Sequence, residues 1–366
     1  MSLDPLFRPY ALRSLELRNR IAMASLARWS APGGDPSALG AYYRRRIDGG
    51  AALIMTEGVA IDRPAAYNDP SSPHLFGPAL AGWRAVVEAV HAAGGAIIPQ
   101  LWHCGAVAKK ASAWTPPGEP ESPSGLYALD QPRGRAMSEA DIAEVLDAYG
   151  RAGADAVAVG FDGVEIHAGH GYLLDQFFWS VTNRRSDRWG GRALAERSRF
   201  PLEVVRAVRR AVPPRLPLMM RVSNWKSADL GARMAESPAE LEAWLAPFIE
   251  AGVDMISVSA LRFDGPLFEG SALSFAGWVR RVTGAPVMAS GGVGMSGDFM
   301  QTFAGRTGQP EPLDEAARRL EAGEFDLLAV GRALVADPGW TRKVRAGQTE
   351  ALRACAPADL APSVAH

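Results

Sequence analysis

Short runs of consecutive apolar residues recur along the chain, each closed by turn residues and followed by a segment with helical spacing. Eight stand out, at residues 21–24, 52–56, 96–101, 163–167, 218–222, 254–259, 286–290 and 326–330. Their hydrophobicity is continuous rather than alternating, as in strands covered on both faces, so the pattern predicts a parallel sheet with helices outside it. Segments 138–152, 195–211 and 238–251 carry the helical spacing, and Ser138 followed by Asp141 is an N-terminal capping signature. Eight strand–helix repeats predict an α/β fold that closes on itself, a single (β/α)8 barrel spanning the 366 residues.

One connection breaks the rhythm. Residues 103–137 are rich in proline and glycine and show no helical period. A stretch of that length in a compact domain is expected to act as a binding loop or lid, here beside the third strand, with Trp114, Leu126 and Tyr127 as apolar anchors. The closing segment, 347–366, is rich in alanine and proline and is expected to be loosely ordered.

Composition narrows the partners. The chain is 48% hydrophobic and 22% charged with a formal net charge of −1, enough for a large core and without bias toward nucleic acid or an anionic membrane. Only Cys104 and Cys355 are present, too few for a disulfide framework, an all-cysteine zinc site or a four-cysteine iron–sulfur cluster, which fits a reducing cytoplasm. Asp4 and Pro5 stand where a signal peptide needs a basic and then apolar run, and no uncharged apolar stretch reaches the ~20 residues of a spanning helix. The expectation is a cytoplasmic protein acting on a small molecule, with self-association left open.

The chemistry collects at the carboxyl ends of the predicted strands, where a barrel gathers its reactive groups at one mouth. Gln100 and His103 follow the third run, His167, His170 and Tyr172 the fourth, and Arg221 lies on the fifth. Gly291 and Gly292 follow the seventh run and Gly331 and Arg332 the eighth, the place where bare backbone N–H groups hold a phosphate. A competing reading uses His103, His167 and His170 as ligands for a divalent metal in a hydrolase or lyase. It leaves the glycines and Arg221 without a task, and no strand-end carboxylate clearly completes such a site.

The ordered motifs resemble the Old Yellow Enzyme group of FMN-dependent ene-reductases, also called NADH:flavin oxidoreductases. The resemblance runs from Leu6-Phe7-Arg8-Pro9 and Leu17-Arg18-Asn19-Arg20 through Gln100-Leu101-Trp102-His103 and Asp162-Gly163-Val164-Glu165-Ile166-His167. It continues at His170-Gly171-Tyr172-Leu173-Leu174-Asp175-Gln176-Phe177 and ends at Val330-Gly331-Arg332-Ala333-Leu334 and Ala336-Asp337-Pro338. It implies noncovalent FMN in a barrel, reduced by NAD(P)H, with NAD(P)H and substrate sharing one pocket. Hydride then passes to the β-carbon of an alkene conjugated to a carbonyl or similar group. The resemblance makes His167 and His170 the donors to the carbonyl oxygen and Tyr172 the source of the α-carbon proton. It puts Arg221 beside flavin N1 and the C2 carbonyl, Gln100 on the pyrimidine edge, and Gly291, Gly292, Gly331 and Arg332 around the phosphate. Ser25, Leu26, Ala27 and Gly58 are placed with the cofactor, and Trp102 with the substrate.

Two positions depart from that pattern. After Met23-Ala24 the family commonly has proline, an apolar residue and then threonine or cysteine, whereas this chain reads Ser25-Leu26-Ala27. Ala27 therefore offers no side-chain donor to the flavin C4 carbonyl, which leaves Ser25 to substitute. The arginine usual three residues after His103 is replaced by Ala106. Trp29, Phe263 and Phe268 are further candidates for lining the substrate space.

Overall fold

The eight apolar runs form β1 (Ile21–Met23), β2 (Leu53–Ala60), β3 (Ala96–Trp102), β4 (Val164–His167), β5 (Leu218–Ser223), β6 (Met255–Ser259), β7 (Val287–Ser290) and β8 (Leu327–Val330). In the computed structural model, which describes residues 2–107 and 114–364, they pair in parallel and close into a barrel, β8 meeting β1 and β3 meeting β4. β2 outruns its predicted end because its register shifts between Met55 and Gly58, bringing Gly58 opposite Gln100. The polar pair Thr56-Glu57 and this irregularity hide the strand's second half from a reading based on apolar runs. The glycine at the shift lets the Trp102 ring pack close against the backbone: a Cβ on Gly58 would lie 3.0 Å from that ring and would have to push it aside.

The barrel's lower interior is filled by Leu53, Met55, Ile98, Met219, Met255, Met288 and Leu327, all buried. Leu15 and Leu17 join them from a hairpin that pairs Tyr10–Leu12 with Leu15–Leu17. Each such side chain contributes about 1.5–3 kcal/mol on burial. Because this plug occupies the amino-terminal end, the barrel's open space lies at the carboxyl ends of its strands.

Helices wrap the outside. α1 (Leu39–Asp48) and α2 (Ala79–Ala92) follow β1 and β2. α3 (Glu139–Val159) starts at Ser138, whose side chain accepts from the Asp141 N–H in a reciprocal capping box. It continues beyond residue 152, since Gly153 sits against Ala211 and Val212 closely enough for two helices to approach. Segment 195–211 breaks into Leu194–Arg197 and α4 (Arg199–Ala211), and α5 (Pro238–Glu250) matches its prediction.

The long connection after β3 is tied down at its base. Glu121–Ser122 pairs with Arg135–Ala136, and Leu126–Ala128 pairs with Gln131–Pro132. Buried Glu121 takes both Arg63 (2.8 Å) and Arg135 (2.8 Å) and meets His103 Nε2 at 3.1 Å. Burial alone would raise the Glu121 carboxyl, but the bonds from Arg63 and His103 hold it at about 2. The closing segment, expected to be loose, is held through Ser363. The buried Arg28 guanidinium donates to the carbonyls of Asp359 (3.1 Å), Ala361 (3.0 Å) and Ser363 (2.9 Å). No helix among the described residues is long and apolar enough to cross a membrane.

Candidate active site

At the carboxyl ends of the strands lies a cavity of ≈ 460 Å³. Ser25, Leu26, Ala27, Trp29, Gly58, Gln100, Trp102, His167, His170, Tyr172, Arg221, Gly291, Gly292, Gly331 and Arg332 all line it. Three candidates fall elsewhere. Phe263 belongs to the buried core, and Phe268 packs edge-on against Trp278 with ring centres 5.3 Å apart. His103 points to Glu121 and is absent from the lining, so the three imidazoles of the metal reading do not converge.

β4 ends in His167, and the chain then turns sharply through His170, whose φ of 61° is left-handed. Such a conformation costs a non-glycine residue about 1–2 kcal/mol and needs outside support. Ser223 at the end of β5 supplies it, accepting from the His170 N–H at 2.8 Å while donating to the Trp225 carbonyl at 2.7 Å. Trp225 lies against the imidazole, ring centres 4.3 Å apart. Behind this turn Asp175 accepts from the Gly171 N–H (2.7 Å) and pairs with Lys226 (2.7 Å), both side chains fully buried. The support places the His167 and His170 rings 5.0 Å apart and Tyr172 5.1 Å from His167, with Trp102 edge-on to Tyr172 at 5.3 Å.

The protonation states follow from the surroundings. Burial, reinforced by Arg221, pushes His167 well below its ordinary value. Burial does the same to His170, with His167, Arg221 and Lys226 adding to it. Both rings are therefore neutral at pH 7, each with one N–H. Nδ1 of His167 accepts the Gly169 N–H at 3.4 Å, which leaves Nε2 as its donor. Nε2 of His170 meets Ser259 Oγ at 2.8 Å, and Arg221 already donates to that oxygen. A serine hydroxyl has one proton and two lone pairs, so when Ser259 gives its proton to Nε2 in this hydrogen bond, His170 carries its own proton on Nδ1 and presents Nδ1–H as the donor. Burial raises Tyr172 to about 12, so its phenol keeps its proton.

The polar floor lies between β1, β3, β4 and β5. Ser25 Oγ donates to Gln100 Oε1 (2.8 Å), and Gln100 Nε2 donates to buried Glu165 (2.5 Å). Among the described residues Arg221 makes only long hydrogen bonds, to the Ser25 carbonyl (3.4 Å), Ser259 (3.4 Å) and Ser290 (3.5 Å). Its buried Nε has no partner among the described residues. A buried cation with spare donors fits an electron-rich heterocycle edge that becomes anionic on reduction. Beyond β7 and β8 the backbone is bare. A Cβ at Gly291 would sit 2.2 Å from the Ala260 carbonyl, and Gly292 is left-handed at φ 64°. Gly291 is thus demanded by the Ala260 carbonyl packed against it and Gly292 by its left-handed backbone, and neither brings a side chain over the neighbouring N–H groups, as a phosphate site requires. Arg332 reaches this end but donates to Thr302 Oγ1 (2.8 Å) and to the Ser296 and Gly297 carbonyls (3.1 and 2.6 Å). The floor and the open backbone together fit FMN.

Other lining residues have no counterpart among the sequence candidates. Trp225 and Ser259 were findable as strand-end residues of β5 and β6, but a search confined to imidazole, phenol, amide and cationic groups passes over them. Phe299, Met300 and Phe303 also line the cavity, carried by the connection after β7.

The chain resembles several known proteins. It is 32% identical over 96% of its length to the NADH oxidase of Thermoanaerobacter brockii, of which it spans only 52%. It is 30% identical over 93% of its length to 12-oxophytodienoate reductase 7 of Oryza sativa subsp. japonica, spanning 88% of that protein. Among solved structures, morphinone reductase in complex with tetrahydroNAD superposes with a TM-score of 0.80 and 29% identity, covering 98% of this chain and 94% of the other. Residues 5–351 match the model of the NADH:flavin oxidoreductase / NADH oxidase family, and the chain belongs to that family: it is an oxidoreductase with FMN as cofactor and NAD(P)H as reductant.

Proposed function

We propose that the protein is an ene-reductase that reduces an alkene conjugated to a carbonyl or similar electron-withdrawing group. The observation that carries this reading is a neutral imidazole, His167, whose ring lies 5.0 Å from that of neutral His170 and 5.1 Å from the protonated phenol of Tyr172, all three lining the cavity. The chemistry that bound FMN would supply here, after reduction by NAD(P)H, is a hydride for the alkene's β-carbon. His167 Nε2–H and His170 Nδ1–H take the substrate's oxygen, where negative charge accumulates, and so stabilise the transition state more than the ground state. Their neutrality matters, because a neutral donor keeps its proton when the oxygen is released. Tyr172 gives its proton to the α-carbon, a contribution of ~10²- to 10⁴-fold for a positioned acid. Trp102 fixes the phenol edge-on and helps to exclude water. Gln100, Arg221, Ser25, Leu26, Ala27 and Gly58 hold the isoalloxazine, with Gly291, Gly292 and Gly331 at the phosphate end.

An anaerobic spectrum decides between this reading and others. NADH or NADPH should bleach the flavin band, and cyclohexenone should restore it. Bleaching without recovery on enone, but with recovery on a quinone or oxygen, would restrict the protein to flavin oxidation and reject the ene-reductase reading.

A further inference from the structure

Five rings follow one another around the cavity. Trp102 meets Tyr172 at 5.3 Å, Tyr172 meets His167 at 5.1 Å, His167 meets His170 at 5.0 Å, and His170 meets Trp225 at 4.3 Å between ring centres. All five line the cavity. Four of them have a task in the proposed reaction, and Trp225 does not. The chain nevertheless fixes it on both sides. Ser223 donates to its carbonyl at 2.7 Å, and the next residue, Lys226, is locked to Asp175 (2.7 Å) and exchanges two backbone hydrogen bonds with Asp229 (3.0 and 3.1 Å). The Ser227 N–H then binds the His170 carbonyl at 3.2 Å. Trp225 is 7% exposed, and its indole N–H is buried without a partner among the described residues. What it turns to the cavity is therefore hydrocarbon. A buried indole ordinarily pairs its N–H, so this position retains flat apolar area at the expense of a hydrogen bond.

The order of the rings orients a bound ketone. Its oxygen sits at the His167–His170 pair, and its α-carbon lies toward Tyr172, the neighbour of His167. The bonds of a trigonal carbon diverge, so the remaining group on the carbonyl carbon leaves on the other side, past His170, where Trp225 stands. We propose that Trp225 is a specificity-determining residue, forming the subsite for the group on the substrate's carbonyl carbon and selecting ketones that carry a flat apolar group there. The proposal rests on the ene-reductase reading and names a substrate class within it. Two aromatic rings in contact gain packing and quadrupole attraction that a methyl group in the same place does not supply. A charged group there would lose its water against the indole and gain no partner.

Three ketones test it on the holoenzyme. Phenyl propenyl ketone carries its ring on the carbonyl carbon, its isomer methyl styryl ketone carries the ring on the β-carbon, and methyl propenyl ketone has no ring. Each gains a hydride at the β-carbon and a proton at the α-carbon and leaves as the saturated ketone, while NAD(P)H is oxidised to NAD(P)⁺. In Trp225→Ala, kcat/KM for phenyl propenyl ketone falls about tenfold relative to methyl propenyl ketone, whereas methyl styryl ketone keeps its ratio to within about threefold. Trp225→Phe, which drops the indole N–H but keeps a flat ring, retains the parent's preference. If all three ketones slow equally, Trp225 merely holds His170 in place and the proposal fails. It fails too if methyl styryl ketone is the one that suffers. A parent whose KM for phenyl propenyl ketone is no lower than for methyl propenyl ketone overturns it without any variant. Reduced enzyme that passes hydride to none of the three but is reoxidised by a quinone rejects the ene-reductase reading, and this proposal with it.

Discussion

Ser25 donates its hydroxyl proton to the Gln100 amide oxygen across 2.8 Å. That bond answers whether Ser25 substitutes for the donor missing at Ala27: its proton is committed sideways to the pocket floor. Gln100 is fixed in turn, its amide nitrogen bound to Glu165 and its oxygen shared with Ser25.

Ala27→Thr should therefore add a hydrogen bond to the flavin C4 carbonyl that Ser25 does not make. Such a bond strengthens as the ring gains electron density, so the potential should rise. A differential stabilisation of ~1 kcal/mol corresponds to roughly 20 mV for a two-electron couple. Reduction by NAD(P)H should quicken and enone reduction slow. A midpoint potential that stays put or falls, measured against a reference dye, contradicts the placement of Ala27.

The His167→Ala/His170→Ala double variant should lose affinity for phenolate ligands, read from the charge-transfer band. Each lost hydrogen bond to a charged acceptor costs ~1.5–3 kcal/mol, roughly ten- to over a hundredfold. Flavin content is measured in the same samples, and undiminished phenol binding rejects the pair as the oxygen site.

Tyr172→Phe removes only the hydroxyl. Flavin reduction by NAD(P)H should stay within a few fold, while reoxidation by cyclohexenone falls by ~10²- to 10⁴-fold. Quinone reduction, which needs no carbon protonation, should survive. Stopped-flow traces of the two half-reactions check this, and parental enone turnover would hand the proton to another group.

Lys226→Ala leaves the Asp175 carboxylate buried without its partner behind the His170 turn. Breaking a buried pair from one side costs about 3–5 kcal/mol. The expected outcome is a large drop in unfolding free energy, with Lys226→Met/Asp175→Leu recovering much of it. Urea denaturation of the three proteins compares them directly.

Acid should loosen the connection after β3. The Glu121 carboxyl is at about 2 in the folded chain, against about 4.3 when unfolded. A depressed carboxylate contributes its stability in full above the unfolded value and loses it as pH falls toward the folded one. Between about pH 4.5 and 2 the parent should lose more stability than Glu121→Gln, whose melting temperature should be the flatter over that window. Parallel curves would mean that Glu121 does not titrate with folding.

The barrel was legible because its strands are buried on both faces, which writes them as unbroken apolar runs, and because eight of them recur. β2 was cut short where Thr56 and Glu57 interrupt the run, and α3 was ended early where Ala152-Gly153-Ala154 lacks bulky residues. In the site, groups whose chemistry is intrinsic, such as His167, Tyr172 and Arg221, announced themselves at strand ends. Trp225, Ser259 and Phe303 did not, because their part depends on what the fold sets against them. Phe263 and Phe268 show the converse, since an aromatic after a strand packs inward as readily as it faces a ligand.

Arg28 joins two places that are far apart in sequence. Its guanidinium gathers three carbonyls of the closing segment, while its own N–H and that of Trp29 both bind Glu57, which lines the cavity (3.0 and 3.3 Å). Trp29, left-handed at φ 46°, is thus fixed by a brace whose far end is the tail. Residues 359–363 therefore act as a remote part of the mouth. Evolution can retune selectivity there without altering any residue that meets a ligand, and an engineer who trims the chain before Asp359 edits the active site.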